Sequence, residues 1–211
     1  MKFIVFEGLD GSGKSSLMSA LEKELQLQSH PVYRTREPGG TPLGDEIREL
    51  ILRKKPGYAP SPRSELLLYQ ASRAQHVDEV ILPKLKAGFW VLCDRFSASS
   101  VAFQAGGRAL SVRDVEALNA FSTQNLPIDL TVLLDLSVEE SKSRRSRRSE
   151  STGESEDRIE SEKEEFHERV RQSFLTQAQA QKDSWLVLNA ALTPQELLDL
   201  TLAELRKRKW I

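Results

Sequence analysis

Residues 3–15 read FIVFEGLDGSGKS. A short run of β-branched and aromatic residues (3–6) leads into Gly8, four further residues, then Gly13, Lys14 and Ser15. A leucine-spaced stretch at 16–26, SLMSALEKELQ, follows with Leu17, Leu21 and Leu25 on one helical face. Strand, G-x-x-x-x-G-K-[ST], amphipathic helix: no other feature constrains the fold as strongly. The glycines let successive backbone N–H groups turn inward around a phosphate, and the helix N-terminus adds partial positive charge. The phosphate-binding loop is therefore expected to comprise Gly8, Leu9, Asp10, Gly11, Ser12, Gly13, Lys14, Ser15 and Ser16. Within it Lys14 is expected to reach the β- and γ-phosphates of ATP, and the Ser15 hydroxyl to ligate Mg²⁺. A glycine-rich turn that merely caps a helix is the bland alternative, and the flanking strand and helix weigh against it.

Four more strand-like runs occur, VYRT (32–35), FWVL (89–92), LTVLLD (130–135) and WLVL (185–188). Longer segments with helical spacing lie between and beyond them. The stretch 64–85 reads as one long helix that Pro83 should bend or end. Thr193, Pro194 and Glu196 form a capping-box start for a helix over 193–205, and SVEE at 137–140 begins in the same way. Alternating strands and helices predict an α/β protein. The expected architecture is a P-loop NTPase-type three-layer fold, a five-stranded parallel sheet with helices on both faces and right-handed crossovers. No internal repeat is visible and only one stretch is of low complexity, so 1–211 is expected to be a single domain.

Composition adds exclusions. A net charge of −1 gives no global basic field for nucleic acid. The single cysteine, Cys93, permits no internal disulfide and suits a reducing compartment. The N-terminal MKFIVFEG holds too short an apolar run for a signal peptide or a membrane span. A cytoplasmic protein with neither nucleic-acid nor membrane partners is the expectation.

In a parallel sheet of this kind ligands bind beyond the carboxyl ends of the strands. The third strand ends in VLCDRFSASS. Asp94 falls where a P-loop protein keeps its Mg²⁺-associated acid, and Arg95 beside it offers a fork of donors for a second phosphate. A hydrolase of ATP needs no such second anion site, whereas a kinase with a phosphorylated acceptor does. Cys93 points to the other side of the strand and reads as core. After the second strand, TREPGGTPLGDEIREL gathers Arg36, Glu37 and Arg48 around a rigid Pro-Gly-Gly turn, either as a solvated rim or as the wall of a polar acceptor site.

FEGLDGSGKSS, TREPGGTPLGDEIREL, LLLYQASRAQHV and DRFSASSVAFQAGGRAL occur here in the order and spacing of bacterial thymidylate kinases. The chain resembles that family from about Phe3 to the helix after Arg158. The resemblance implies transfer of the γ-phosphate of ATP to dTMP with Mg²⁺, and a homodimer packed through helices. It implies that Arg95 clamps the phosphate of dTMP with Arg48 as a second contact. Tyr69 would stack on thymine while Arg73 bonds its O4 edge, Ser100 and Gln104 would supply polar contacts to the base, and Asp10 would accept from the 3′-hydroxyl. Tyr69 also reads as plain core, since three leucines precede it. Many relatives have tyrosine where this chain has Phe103, which weakens rejection of ribose through a hydroxyl there. Two other readings compete. One is a P-loop kinase for another nucleotide or nucleoside, of which a nucleoside acceptor would not need Arg95 and Arg48 as anion clamps. The other is a P-loop switch or binding protein that hydrolyses nucleotide slowly, for which the guanine-reading N-K-x-D is absent. The histidines at 30, 76 and 167 lie outside these motifs and receive no role.

The stretch 141–161, SKSRRSRRSESTGESEDRIES, packs four arginines into five positions. Members of the family carry a catalytic arginine either in the phosphate loop or in a lid. Position 11 is glycine here, so the resemblance assigns the task to the lid. Its first part is expected to be helical and its serine-rich acidic middle mobile. Arg148 and Arg158 are the expected catalytic arginines beside Lys14 and Arg95, with Arg144 a lesser candidate. An RNA-binding reading is poor, because five acids offset five arginines and no aromatic residue is present to stack on bases.

Overall fold

A computed structural model describes residues 1–153 and 155–211; Glu154, one of the lid acids counted above, lies outside the described residues. In chain order the elements are β1 (Phe3–Glu7), α1 (Lys14–Leu27), β2 (Val32–Arg36), α2 (Pro42–Leu52), α3 (Pro62–His76), a π-helical turn (Val77–Ile81) and α4 (Leu82–Lys86). Then come β3 (Trp90–Asp94), α5 (Ser97–Ser100), a second π-helical turn (Val101–Gly107), α6 (Val112–Thr123) and β4 (Leu130–Asp135). The chain continues with α7 (Val138–Thr152), α8 (Glu164–Ala180), β5 (Trp185–Asn189) and α9 (Pro194–Lys207).

All five strands pair in parallel, in the order β2-β3-β1-β4-β5. β1 is central and every one of its residues is buried, the continuous pattern of a strand covered on both faces. Its side chains alternate. Ile4 and Phe6 join a core with Leu17, Leu21 and Leu25 of α1 and Leu198, Leu202 and Leu205 of α9. Phe3 and Val5 face the other way, against Val77, Ile81, Val91, Cys93 and Phe96. Cys93 is thus core, as its phase on β3 predicts. Phe166, Val170 and Phe174 of α8 cover the same face further along, over Leu133.

Register is what positions the site. Phe6 and Arg36 both lie opposite Asp94, so β1, β2 and β3 finish on one line. Gly8, Glu37 and Arg95 leave the sheet side by side, and a hydrogen bond from Glu37 N to Asp94 O (2.9 Å) and another from Arg95 N to Phe6 O (2.9 Å) close the edge.

The helices start where local chemistry lets them. Thr41 caps α2, accepting from Gly44 N with Pro42 in the first turn; Ser111 caps α6 by accepting from Asp114 N. Both signals are readable in the sequence, although neither helix is among those expected above. The box at Thr193 and Glu196 is formed in both directions, and Ser137 caps α7. The run at 64–85 is helical, and its regularity breaks just before Pro83 rather than at it, with the helix ending at Lys86. Pro83 offers no N–H to Glu79 O, and the helix widens into the π-helical turn Val77–Ile81 just before it.

Candidate active site

The phosphate loop leaves β1 at Gly8, whose φ is +136°, and a Cβ there would stand 2.4 Å from Leu134 O, so no side chain fits. Lys14, the first residue of α1, folds back over the loop. Its Nζ donates to Gly8 O (3.3 Å) and Leu9 O (3.2 Å), which holds the ammonium over the cradle. Burial pulls the Lys14 pKa down, and the Arg95 charge adds to this against the pull of Asp94, Asp10 and Glu7. Ser15 Oγ donates to Asp94 Oδ2 (3.4 Å). The other oxygen, Asp94 Oδ1, is buried with no hydrogen-bond partner among the described residues.

Two cavities open at this edge of the sheet. One is lined by Gly11, Gly13, Lys14, Ser15, Ser16, Arg36, Asp94, Arg144 and Arg148. The other is walled by Pro38, Leu52, Tyr69, Ser99, Phe103, Gln104, Asp157 and Ile159. Asp10, Glu37, Arg48 and Arg95 line both, and so form the boundary between them. Arg95 Nη2 donates to Asp10 Oδ1 at 2.8 Å, and its guanidinium lies 5.0 Å from the Phe103 ring centroid. Burial raises the pKa of the Asp10 carboxyl, but the charges of Arg95 and Lys14 outweigh it and hold the group well below the usual carboxylate range. Arg48 Nη1 donates to Pro38 O (3.2 Å), anchoring the arginine on the Pro-Gly-Gly turn.

Behind this edge lies a layer of buried charge, of which sequence reasoning named Glu37 and Arg73 and missed Glu7 and His76. Arg95 itself has φ +69°, a left-handed conformation that costs a non-glycine residue energy. Its turn is held by Glu7, the wholly buried last residue of β1, which accepts from Phe96 N (3.0 Å), Ser99 N (3.2 Å) and Ser99 Oγ (2.6 Å). Glu37 is held from the other side. It accepts from Arg73 Nε (2.8 Å), and His76 Nδ1 lies 3.1 Å away while His76 Nε2 meets Thr35 Oγ1 at 2.6 Å. A charged residue ending an apolar strand, as in FIVFE, was the one available signal for Glu7.

Of the expected site residues, Asp10, Glu37, Arg48, Tyr69, Arg95, Phe103 and Gln104 come together in the second cavity, and Gly11, Gly13, Lys14, Ser15, Ser16, Asp94 and Arg148 in the first. Gly8, Leu9 and Ser12 of the loop are buried and line neither cavity. Three residues stand back. Arg73 is 1% exposed and donates to Glu37, Gln70, Ser100, Asn119 and Phe96 O, one layer behind the cavity wall with Ser100. Arg158 donates to Ile51 O (2.8 Å) and Glu65 Oε2 (2.6 Å), away from the phosphate loop. Arg144, the lesser candidate, is the one on the loop, with Nη1 3.4 Å from Gly11 O. Arg148 Nη2 pairs with Glu160 (2.6 Å) at the rim. Arg145 is buried on Ser141 and Glu156.

The family model described as thymidylate kinase matches residues 6–200. The thymidylate kinase of Bdellovibrio bacteriovorus is 66% identical to this chain over 99% of its length and 97% of the relative's. That of Pelobacter propionicus is 40% identical over 98% of this chain and 94% of its own, and that of Prochlorococcus marinus 40% identical over 98% and 96%.

Proposed function

The chain belongs to the thymidylate kinase family, and from that premise we propose how its residues move the γ-phosphate of ATP onto dTMP to give dTDP and ADP. The observation that carries this reading is the shared boundary of the two cavities. Asp10, Glu37, Arg48 and Arg95 face a phosphate loop on one side and an aromatic, amide-lined pocket on the other. Two arginines at that boundary suit an acceptor that already bears a phosphate.

ATP lies with its phosphates on the loop. Lys14 and the loop N–H groups meet the charge of the β- and γ-phosphates. The phosphate of dTMP is clamped by Arg95 and Arg48, and its oxygen, already unprotonated, attacks in line. No general base is required. Mg²⁺ would be held by Ser15 and Asp94, whose buried, unpartnered Oδ1 leaves a coordination position; when bound it neutralises phosphate charge. Arg148 and Arg144 meet the charge that develops on the transferring group. Tyr69 and Phe103 flank the nucleoside, Gln104 bonds the base, and Asp10 accepts from the 3′-hydroxyl. Arg73 supports this wall through Glu37 and Ser100.

Among the described residues no helix is long and apolar enough to cross a membrane. A cytoplasmic enzyme of DNA-precursor synthesis is the reading that membership of this family supports. One sheet takes strands from residue 3 to residue 189, which supports reading the chain as one domain. A homodimer is favoured by Phe121 of α6, 82% exposed, and Leu67 of α3, 55% exposed, on helices that pack side by side. The test of the activity is coupled ADP release from ATP with dTMP, dUMP, dCMP, UMP and thymidine. dTMP is expected to be the best acceptor and thymidine close to background. Thymidine turned over as well as dTMP would remove the role of Arg95 and Arg48 as clamps.

A further inference from the structure

Glu65 lies in the first turn of α3 and is 0% exposed. Its carboxylate is surrounded by donors from three residues on two other segments, Gln104 and Arg108 at the second π-helical turn and Arg158 beyond α7. Oε1 accepts from Gln104 Nε2 (3.0 Å) and Arg108 Nε (3.2 Å). Oε2 accepts from Arg108 Nη2 (3.1 Å) and Arg158 Nη2 (2.6 Å). Burial pushes its pKa up, but the hydrogen bonds from Arg108, Gln104 and Arg158 and the Arg108 charge outweigh burial and bring it below the ordinary value. At neutral pH the group is therefore ionised and has acceptors only.

That removes an ambiguity. The two ends of a glutamine amide are chemically opposite, and its neighbours decide which way it faces. A carboxylate 3.0 Å away demands the NH₂ end of Gln104. The carbonyl Oε1 is left for the acceptor pocket, which Gln104 lines. Among the described residues no donor reaches that oxygen.

We propose that Glu65 is a positioning residue for base choice: by holding the NH₂ of Gln104 it presents the amide carbonyl to the acceptor nucleotide, and so selects bases with an N–H on the facing edge. Thymine and uracil carry N3–H there. Cytosine carries an N3 lone pair, and two acceptors face to face leave both unpaired in a buried site. The inference rests on the reading that this pocket takes the acceptor's base.

Glu65→Gln tests it with little change of size. Arg108 Nη2 and Arg158 Nη2 are donors only, so the carbonyl of the introduced amide takes the place of Oε2. Its NH₂ takes the place of Oε1, where it faces Gln104, whose own amide reverses, and where Arg108 Nε loses its acceptor. kcat/KM is measured for dTMP, dUMP and dCMP in both proteins. dTMP and dUMP are expected to fall together while dCMP holds or rises, lowering the dTMP:dCMP ratio by about tenfold or more. An equal fall for all three is what a purely structural Glu65 gives, and it overturns the proposal. Should the variant fail to fold, Gln104→Leu removes the fixed acceptor, and retention of the wild-type ratio in that variant overturns the proposal as well. A wild-type protein that transfers to none of the three nucleotides sinks the functional reading; one that uses dTMP with a ratio unmoved by Glu65→Gln sinks this inference alone.

Discussion

The Arg95 guanidinium stands 2.8 Å from the Asp10 carboxylate, joining the end of β3 to the middle of the phosphate loop. Asp10 sits inside the ATP cradle and Arg95 is the proposed clamp of the acceptor, so a single ion pair spans donor and acceptor sites. Desolvation lowers the Arg95 pKa, but the charges of Asp10, Asp94 and Glu7 raise it further, so the arginine stays cationic at any working pH. Arg95 Nη1 makes longer contacts, 3.3 Å to Ser99 Oγ and 4.0 Å to Glu7 Oε2, and these are available for exchange with a phosphate oxygen.

Lys14→Ala is expected to abolish most transfer while leaving the fold intact. Loss of one donor aimed at developing charge costs about 2.7–4 kcal/mol, or 10²–10³ in kcat. Single-turnover kinetics on protein shown to be folded by circular dichroism checks this, and wild-type turnover would remove Lys14 from the chemistry.

The lid arginines should separate by position. Arg144→Gln and Arg148→Gln are expected to lower kcat at least tenfold each with the KM for dTMP nearly unchanged, since contacts made only in the transition state act on kcat. Arg158→Gln is expected to act differently, through Glu65 and the acceptor wall, raising KM. If replacing Arg144 and Arg148 together leaves the single-turnover rate within a few-fold of wild type, α7 supplies no catalytic charge.

Glu7 sets a pH dependence of stability. Burial raises its pKa from 4.5 to about 7, against the opposing pulls of Arg95, Ser99, the Phe96 N–H and Lys14. Between those values the unfolded chain releases a proton that the folded chain keeps. The contribution is therefore complete below pH 4.5 and lost as pH rises through 7. Urea unfolding from pH 4.5 to 7.5 should show Glu7→Gln with a flatter profile than wild type, by on the order of 3 kcal/mol across the window. Parallel profiles would mean that Glu7 titrates alike in both states.

Moving an arginine into the phosphate loop is expected to fail here. Gly11 has φ +79°, and a Cβ on it would lie 3.1 Å from Arg144 Cβ and 3.3 Å from Ser141 O. Gly11→Arg should destabilise the protein by about 1–3 kcal/mol and should not restore transfer to Arg148→Gln. Thermal melts and single-turnover rates measure both, and a rescued double variant would show that the loop and α7 can part without loss.

The phosphate loop, Asp94, Arg95 and the Pro-Gly-Gly turn were legible because each depends on a few adjacent residues at a strand end. The three inner strands β1, β3 and β4 were legible for a related reason: the middle of a sheet covered on both faces leaves short unbroken apolar runs. Arg73 and Arg158 were not. A buried guanidinium goes wherever the fold assembles enough acceptors, and theirs come from distant segments: Glu37, Asn119 and Phe96 O for Arg73, Glu65 and Ile51 O for Arg158. Glu65 and His76 look like the polar side of an amphipathic helix until tertiary packing buries them. At Pro83 the irregularity takes the form of a widened turn just before it, which removes the demand for its missing N–H.

Two hydrogen bonds fasten α7 to the phosphate loop, from Ser141 Oγ to Asp10 O (2.7 Å) and from Arg144 Nη1 to Gly11 O (3.4 Å). Both donors lie in the first half of the helix, and both acceptors are main-chain oxygens of the loop. α7 is thus a lever with its fulcrum at Ser141 and its load, Arg148, seven residues out. At 1.5 Å per residue that arm is about 10 Å, so a tilt of about 10° at the fulcrum swings Arg148 by about 2 Å, most of the difference between a direct contact with phosphate and a water-filled gap.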